Sequence, residues 1–127
     1  MALDYGSART GVAVSDPTGT LARPLGVVEG AATEGGLAEL ARLARKEEIA
    51  RVVVGLPLTL RGTRGEQAAE TERFVETLRG AVEVPVELFD ERFTTDLAQQ
   101  TAGTAPEDAL AAAHLLSSYL EWCAARS

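Results

Sequence analysis

The sequence predicts an α/β fold with a five-stranded mixed sheet in the order 3-2-1-4-5 and helices on both faces. Three strand-like segments follow one another before residue 29 with short turns between them, which predicts an antiparallel meander. Two further strand-like segments then alternate with amphipathic helical segments, a pattern typical of parallel strands joined by right-handed crossovers. We expect the 127 residues to form a single domain over positions 1–127, because this length buries a core of ordinary size.

The N-terminal meander is predicted from three segments, residues 2–4, 10–15 and 21–28. Val12 and Val14 alternate with small residues, which suits a pleated strand. The Asp-Pro-Thr-Gly sequence at positions 16–19 is typical of a turn. Strand 2 is therefore expected to run antiparallel to strand 1. This places Asp16 at the opposite edge of the sheet from Asp4, where it shapes a turn.

The remaining predicted elements alternate along the chain. Helices are predicted over residues 35–46, 66–79 and 106–125, and strands over residues 51–55 and 84–89. The run Val52-Val53-Val54 is apolar at successive positions, which indicates a strand buried on both faces. After strand 5, Thr94 or Thr95 is a suitable N-cap for a short helix that ends at Gln100.

Composition narrows the function classes. The net charge of −7 argues against binding of nucleic acid by overall electrostatics, so such a role needs a local basic patch or a bound metal. No run of 18 apolar residues is present, and Asp4 and Arg9 interrupt any signal-peptide core, so we expect a cytoplasmic protein without membrane partners. Cys123 is the only cysteine, which excludes an internal disulfide and a Cys-based zinc site.

Acidic residues converge on the edge formed by the carboxyl ends of strands 1, 4 and 5, where ligands of open α/β sheets bind. Asp4 ends strand 1, the loop 55–65 follows strand 4, and Asp90 and Glu91 follow strand 5. Successive strand residues point to opposite faces, so only one of Asp90 and Glu91 is expected to point toward Asp4. Capping of the hairpin turn is the alternative role for Asp4.

Four arginines fall in loops at the same edge: Arg9, Arg61, Arg64 and Arg92. They supply the local basic patch with which an acidic chain could approach a phosphate backbone. We interpret Arg9 as a phosphate contact. Arg61 and Arg64 are either phosphate contacts or solvated loop residues.

The last predicted helix adds a third carboxylate. At 100° per residue, Asp108 lies within about 60° of a stripe of small and apolar residues. The stripe consists of Ala111, Ala112, Leu115 and Tyr119. Because this stripe is expected to pack on the sheet, Asp108 is expected to face Asp4, although stabilisation of the helix dipole is an alternative role. His114 lies about 120° from the stripe, so we do not place it in the site.

Three carboxylates around one position are typical oxygen ligands of Mg²⁺ or Mn²⁺. Together with a substrate phosphate they can hold one or two metal ions, which activate water and stabilise the leaving oxygen of a phosphodiester. No Cys-rich or His-rich ligand set in the sequence competes with this interpretation.

Several motifs resemble the RuvX/YqgF family. They are Leu3-Asp4-Tyr5-Gly6 with Arg9 and Gly11, Val54-Gly55-Leu56-Pro57 with Gly62-Thr63, Asp90-Glu91-Arg92-Phe93-Thr94-Thr95 with Ala98, and Asp108 with Ala112, Leu116 and Tyr119. The resemblance covers nearly the whole chain and implies a ribonuclease-H-like fold similar to that of Holliday-junction resolvases. Members are described as candidate nucleases for the 5′ end of precursor 16S rRNA. By resemblance, Asp4, Glu91 and Asp108 match the acidic site positions, which favours Glu91 over Asp90.

The leading hypothesis is a divalent-metal-dependent endonuclease acting on branched DNA or precursor rRNA, with Mg²⁺ or Mn²⁺ held by Asp4, Glu91 and Asp108. The candidate substrate contacts are Arg9, Arg61, Arg64, Arg92, Thr94 and Thr95. A junction has two symmetric strands to cut, so a resolvase is expected to be a homodimer. Two alternatives are a non-catalytic nucleic-acid or ribosome-associated module and a fragment of an actin-like ATPase. Residues 4–11 resemble the phosphate-binding hairpin of the actin-like ATPases. Those enzymes, however, need two such domains to close on a nucleotide.

Overall fold

The computed structural model describes residues 1–57, 65–90 and 106–126. The strands in this part are β1 (Ala2–Asp4), β2 (Arg9–Ser15), β3 (Ala22–Glu29), β4 (Val52–Leu56) and β5 (Val86–Asp90). The helices are α1 (Glu34–Lys46), α2 (Glu66–Arg79) and α3 (Glu107–Ala125). Each falls on a predicted element, with boundaries that differ by at most two residues. The predicted short helix ending at Gln100 lies outside the described residues.

The strands form one sheet in the order β3-β2-β1-β4-β5, which confirms the predicted topology. β2 is antiparallel to both β1 and β3, whereas β1, β4 and β5 are parallel. Asp4 is paired with Gly11 across β1 and β2, and Leu56 is paired with Asp90 across β4 and β5. The carboxyl ends of β1, β4 and β5 therefore share one edge, which we call the carboxyl edge.

Helices cover both faces of the sheet. One apolar cluster includes Val52 and Val54 together with side chains of α1 and α2, and a second includes Val53 together with side chains of α3. The three valines of β4 are at most 2% exposed, which confirms that this strand is buried on both faces. The successive apolar positions have a physical cause, since a central parallel strand needs apolar side chains on each side.

Helix α3 lies across β1, β2 and β3. Its buried residues include Ala112, Leu115 and Tyr119, as predicted. The prediction for Ala111 is wrong, because this residue is exposed. The first turn of α3 contacts β2 through the backbone of Asp108 and Ala109. The buried side of this turn is therefore the side that carries Asp108 and Ala109.

The turn between β2 and β3 contains Asp16, whose carboxylate accepts hydrogen bonds from the backbone N–H groups of Thr20 and Leu21 at 2.8 and 3.0 Å and from the Thr18 hydroxyl at 2.5 Å. The Thr18 bond, followed by the two backbone bonds, lowers the pKa of Asp16. Asp16 thus shapes a turn remote from the carboxyl edge, as predicted. Of the helices that the structure describes, none combines the length and apolar character that crossing a bilayer requires.

Candidate active site

Asp4 is the last residue of β1 and lies at the carboxyl edge. The residue is half-buried, and burial raises the pKa of its carboxyl group. The negative charge of Asp108 raises this pKa further. An ionised Asp4 is therefore disfavoured by its surroundings unless a cation or donor compensates it.

Asp108 is placed beside Asp4 by a direct backbone contact with Gly11. Gly11 lies opposite Asp4 in the antiparallel pair. A β carbon built on Gly11 would lie 1.8 Å from the carbonyl oxygen of Asp108 and 2.3 Å from its carbonyl carbon. Only glycine lets the first turn of α3 approach β2 this closely. The position of Asp108 at this edge therefore depends on a strand residue without a side chain.

The hairpin between β1 and β2 is closely packed at its turn. A β carbon on Gly6 would lie 2.5 Å from the carbonyl oxygen of Arg9. The hydroxyl of Thr10, which is fully buried, lies 3.4 Å from both the backbone nitrogen and the carbonyl oxygen of Gly6. These contacts hold the backbone between Asp4 and Arg9. Sequence reasoning missed this role of Thr10; the sequence signal for it is a hydroxyl residue directly before the apolar run 11–14 of β2.

Tyr5 attaches the end of β1 to helix α2. Its ring stacks on Phe74 with centroids 4.3 Å apart and planes inclined by 14°. Burial raises the pKa of Tyr5, and the charge of Glu70 raises it further, whereas Arg73 opposes this change. The sequence motif contained Tyr5, but its contact with α2 required the tertiary structure. The stack restrains the backbone next to Asp4.

Arg9 begins β2 at the carboxyl edge, as predicted, and forms an ion pair with Asp108. Its Nε lies 3.3 Å from Oδ2 of Asp108, and the two side chains are 65% and 36% exposed. Exposed pairs of this kind contribute about 0–1 kcal/mol to stability. Arg9 is thus held against Asp108 by a contact that solvent and salt readily weaken.

The other predicted site residues divide into two groups. Asp90 ends β5 at the carboxyl edge, where it is half-buried, so it remains the alternative to Glu91. Glu91, Arg92, Thr94, Thr95, Arg61 and Arg64 lie outside the described residues, and their roles stay predictions. His114, which was not placed in the site, is buried on α3.

The described residues contain no group of three or more His, Cys, Asp or Glu side chains that could hold a metal ion. Asp4 and Asp108 nevertheless supply two carboxylates whose charges interact, with Arg9 as a partial counter-ion. Oxygen donors with excess negative charge fit Mg²⁺ or Mn²⁺, and a third ligand from the segment after β5 would complete the predicted set.

Comparison with known proteins places this arrangement in a family. The family model RuvX, described as Holliday junction resolvase, matches residues 1–122. A protein of Chloroflexus aurantiacus is 42% identical over 130 residues, which cover 95% of this chain and 85% of that protein. Proteins of Rubrobacter xylanophilus and Sulfurihydrogenibium sp. are 45% and 38% identical, over 94% and 95% of this chain and 90% and 88% of their own lengths. All three are named "Putative pre-16S rRNA nuclease".

These matches agree with the structure in two respects. The sheet order and the helices on both faces are consistent with a ribonuclease-H-like α/β fold. The match also includes the strand end that carries Asp4, the hairpin with Arg9 and Gly11, and the helix that carries Asp108. The chain therefore belongs to the RuvX family.

Proposed function

We propose that this protein is a divalent-metal-dependent endonuclease that hydrolyses phosphodiesters in structured nucleic acid. The observation that carries the proposal is the position of Asp108 near Asp4 at the carboxyl edge, where Gly11, the strand partner of Asp4, lets helix α3 pack against β2. Burial and the charge of Asp108 both raise the pKa of Asp4, so the site favours a cation when both groups are ionised. The names of the family and of the relatives support a nuclease.

Mg²⁺ or Mn²⁺ would be held by Asp4, Asp108 and Glu91 in this proposal. When bound, such an ion supplies activation of the attacking water and charge neutralisation at the leaving oxygen. The chain's own residues contribute orientation: the fixed backbones of β1 and α3 hold the two described carboxylates in place. Arg9 provides a guanidinium that can donate to a substrate phosphate.

The substrate is proposed to be the 5′ end of precursor 16S rRNA, a branched DNA junction, or both. The names of the relatives support the RNA, and the description of the family model supports the junction. The contacts proposed for either substrate are Arg9, Arg61, Arg64, Arg92, Thr94 and Thr95. Cleavage of the two symmetric strands of a junction would require a homodimer, whereas trimming of an RNA end has no such requirement.

Cleavage of three labelled substrates tests the proposal: a four-way DNA junction, a duplex of the same sequence, and a precursor-rRNA leader. Each is incubated with Mg²⁺, with Mn²⁺ and with chelator. Wild-type protein is expected to cut at least one structured substrate when Mg²⁺ or Mn²⁺ is present and to cut none in chelator. Asp4→Asn is expected to lose about 100-fold or more in rate while keeping its fold, because it removes a charged ligand of the site. Asp16→Asn is the matched control, since this aspartate lies in a remote turn.

The outcome also separates the alternatives. Metal-dependent cleavage that Asp4→Asn retains in full would contradict the proposed site. Tight binding of the substrates without cleavage under any metal condition would favour the non-catalytic module. Binding of ATP would favour the actin-like alternative.

A further inference from the structure

Arg9 and Asp108 form an ion pair with each other, although the proposed function requires each of them to contact a different group. Nε of Arg9 lies 3.3 Å from Oδ2 of Asp108. In the proposed function Asp108 holds a cation and Arg9 contacts a phosphate. We propose that Arg9 exchanges between Asp108 and a substrate phosphodiester, so that phosphodiester and divalent cation strengthen each other's binding. This inference rests on the proposed function and deepens it.

The ion pair has the properties of an exchangeable contact. Both side chains are substantially exposed, at 65% and 36%, so water and salt screen their attraction. The contact is made by Nε, one of five N–H donors of the guanidinium. A phosphate oxygen offers Arg9 a charge-assisted hydrogen bond. Release of Arg9 from Asp108 therefore costs little when a phosphodiester is present.

The backbones that carry the two side chains cannot separate easily. The first turn of α3 lies directly against Gly11, which leaves no space for even a β carbon. The carbonyl group of Arg9 is similarly close to Gly6 in the hairpin turn. Exchange is therefore expected to involve rotation of side chains, with Asp108 staying beside Asp4. Arg9 can leave the carboxylate without a change in the position of the metal ligand.

Electrostatics gives the exchange its direction. Without a cation, the Arg9 guanidinium lies against the Asp108 carboxylate and partly offsets its negative charge. A divalent cation on Asp108 would displace Arg9 and repel it. A phosphodiester at the same edge would accept a hydrogen bond from Arg9 and hold its positive charge away from the cation. Because binding free energies at coupled sites are reciprocal, the phosphodiester then raises cation affinity by the same factor by which the cation raises phosphodiester affinity.

The test measures Mn²⁺ affinity by calorimetry, without any nucleic acid and thus without any cleavage. Wild type is compared with Arg9→Gln in sodium chloride and in sodium dimethyl phosphate of equal ionic strength. Dimethyl phosphate is the probe because it carries one phosphodiester group and nothing else of a substrate. Arg23→Gln is the matched control. Arg23 pairs with Glu47 at 3.2 Å with 61% and 21% exposure, and this pair lies away from the carboxyl edge.

In sodium chloride, Arg9→Gln is expected to bind Mn²⁺ about two- to fivefold more tightly than wild type, the range expected when an exposed ion pair no longer competes. Dimethyl phosphate is expected to tighten Mn²⁺ binding by wild type and Arg23→Gln, and to do so less for Arg9→Gln. Equal or weaker Mn²⁺ binding by Arg9→Gln in chloride would overturn the inference. So would an undiminished effect of dimethyl phosphate on that variant.

Failure of this inference can be told apart from failure of the proposed function through Asp4→Asn. If Asp4→Asn binds Mn²⁺ as well as wild type, the metal site itself is wrong and both proposals fall. If Asp4→Asn loses Mn²⁺ binding while Arg9→Gln behaves as wild type, the proposed function stands and the exchange of Arg9 is refuted.

Discussion

Gly11 and Asp108 are in direct backbone contact: a β carbon on Gly11 would lie 1.8 Å from the carbonyl oxygen of Asp108. Gly11 is also the strand partner of Asp4. One glycine therefore sets the spacing between the two acidic residues of the candidate site, which lie more than a hundred positions apart in the sequence.

Gly11→Ala is expected to destabilise the fold by about 1–3 kcal/mol or more, because the added methyl group meets backbone atoms that no side-chain rotation can move. Urea unfolding measures the change. Gly26→Ala is the matched control, because Gly26 also lies in a strand but has no atom within 4 Å of its β-carbon position. This control is expected to change stability by no more than about 0.5 kcal/mol. Equal stability of both variants would contradict the close contact of α3 with β2.

Asp4→Asn is expected to raise thermal stability at neutral pH in chelator. The pKa of Asp4 is raised above its ordinary value of 3.8, so the folded state binds more protons than the unfolded state between the ordinary and the raised value. Stability is therefore lost as pH rises through this window, and the penalty is complete at neutral pH. The gain in melting temperature from Asp4→Asn is expected to disappear below the ordinary pKa.

Divalent metal provides the complementary measurement for Asp4. Addition of Mn²⁺ at neutral pH is expected to raise the melting temperature of wild type, because a ligand that binds only the folded state stabilises it. The same addition is expected to have little effect on Asp4→Asn. A variant that gains as much from Mn²⁺ as wild type would show that the cation binds elsewhere.

Tyr5→Ala removes the stack on Phe74 and is expected to lower the free energy of unfolding. The upper limit is about 3–5 kcal/mol, the loss for a fully buried aromatic ring, and the partial exposure of Tyr5 places the loss below this limit. Tyr5→Phe keeps the stack and is expected to stay within about 0.5 kcal/mol of wild type. Chemical unfolding gives both values. The first variant is also expected to weaken Mn²⁺ binding, since the stack restrains the backbone of Asp4. Weakened metal binding by Tyr5→Phe would instead implicate the hydroxyl group.

Tyr119→Phe tests a cluster away from the carboxyl edge, where the Tyr119 hydroxyl donates to Glu87 and accepts from Arg51 at 2.8 Å. Loss of this hydroxyl is expected to cost about 0.5–1.5 kcal/mol and to leave cleavage unchanged. Burial, followed by the bond to Glu87, raises the pKa of Tyr119 above its ordinary value of 10.0. The contribution of the hydroxyl is therefore fully present below pH 10 and declines above it. An unfolding series across alkaline pH is expected to show the two proteins converging.

Much of the architecture follows from local patterns in the sequence. The three successive valines of β4 indicate a central strand, and the short turns between the first three strands indicate a meander. The carboxyl edge follows from strand direction, so the sequence alone assigns Asp4 and Arg9 to it and Asp16 to a remote turn. The prediction for Ala111 is wrong because helical periodicity gives the angle of a residue around the helix axis, whereas burial of the residue depends on where the neighbouring strand approaches.

The order of the elements, the strand directions and the edge at which Asp4 and Arg9 lie follow from the amino-acid sequence alone, because they depend on patterns within a few neighbouring residues. Three contacts became visible only in the folded chain: Gly11 packs against the first turn of α3, Arg9 pairs with Asp108, and Tyr5 stacks on Phe74. These contacts join segments far apart in the chain. They depend on distances of a few ångströms between packed elements, which no periodicity in one segment can specify.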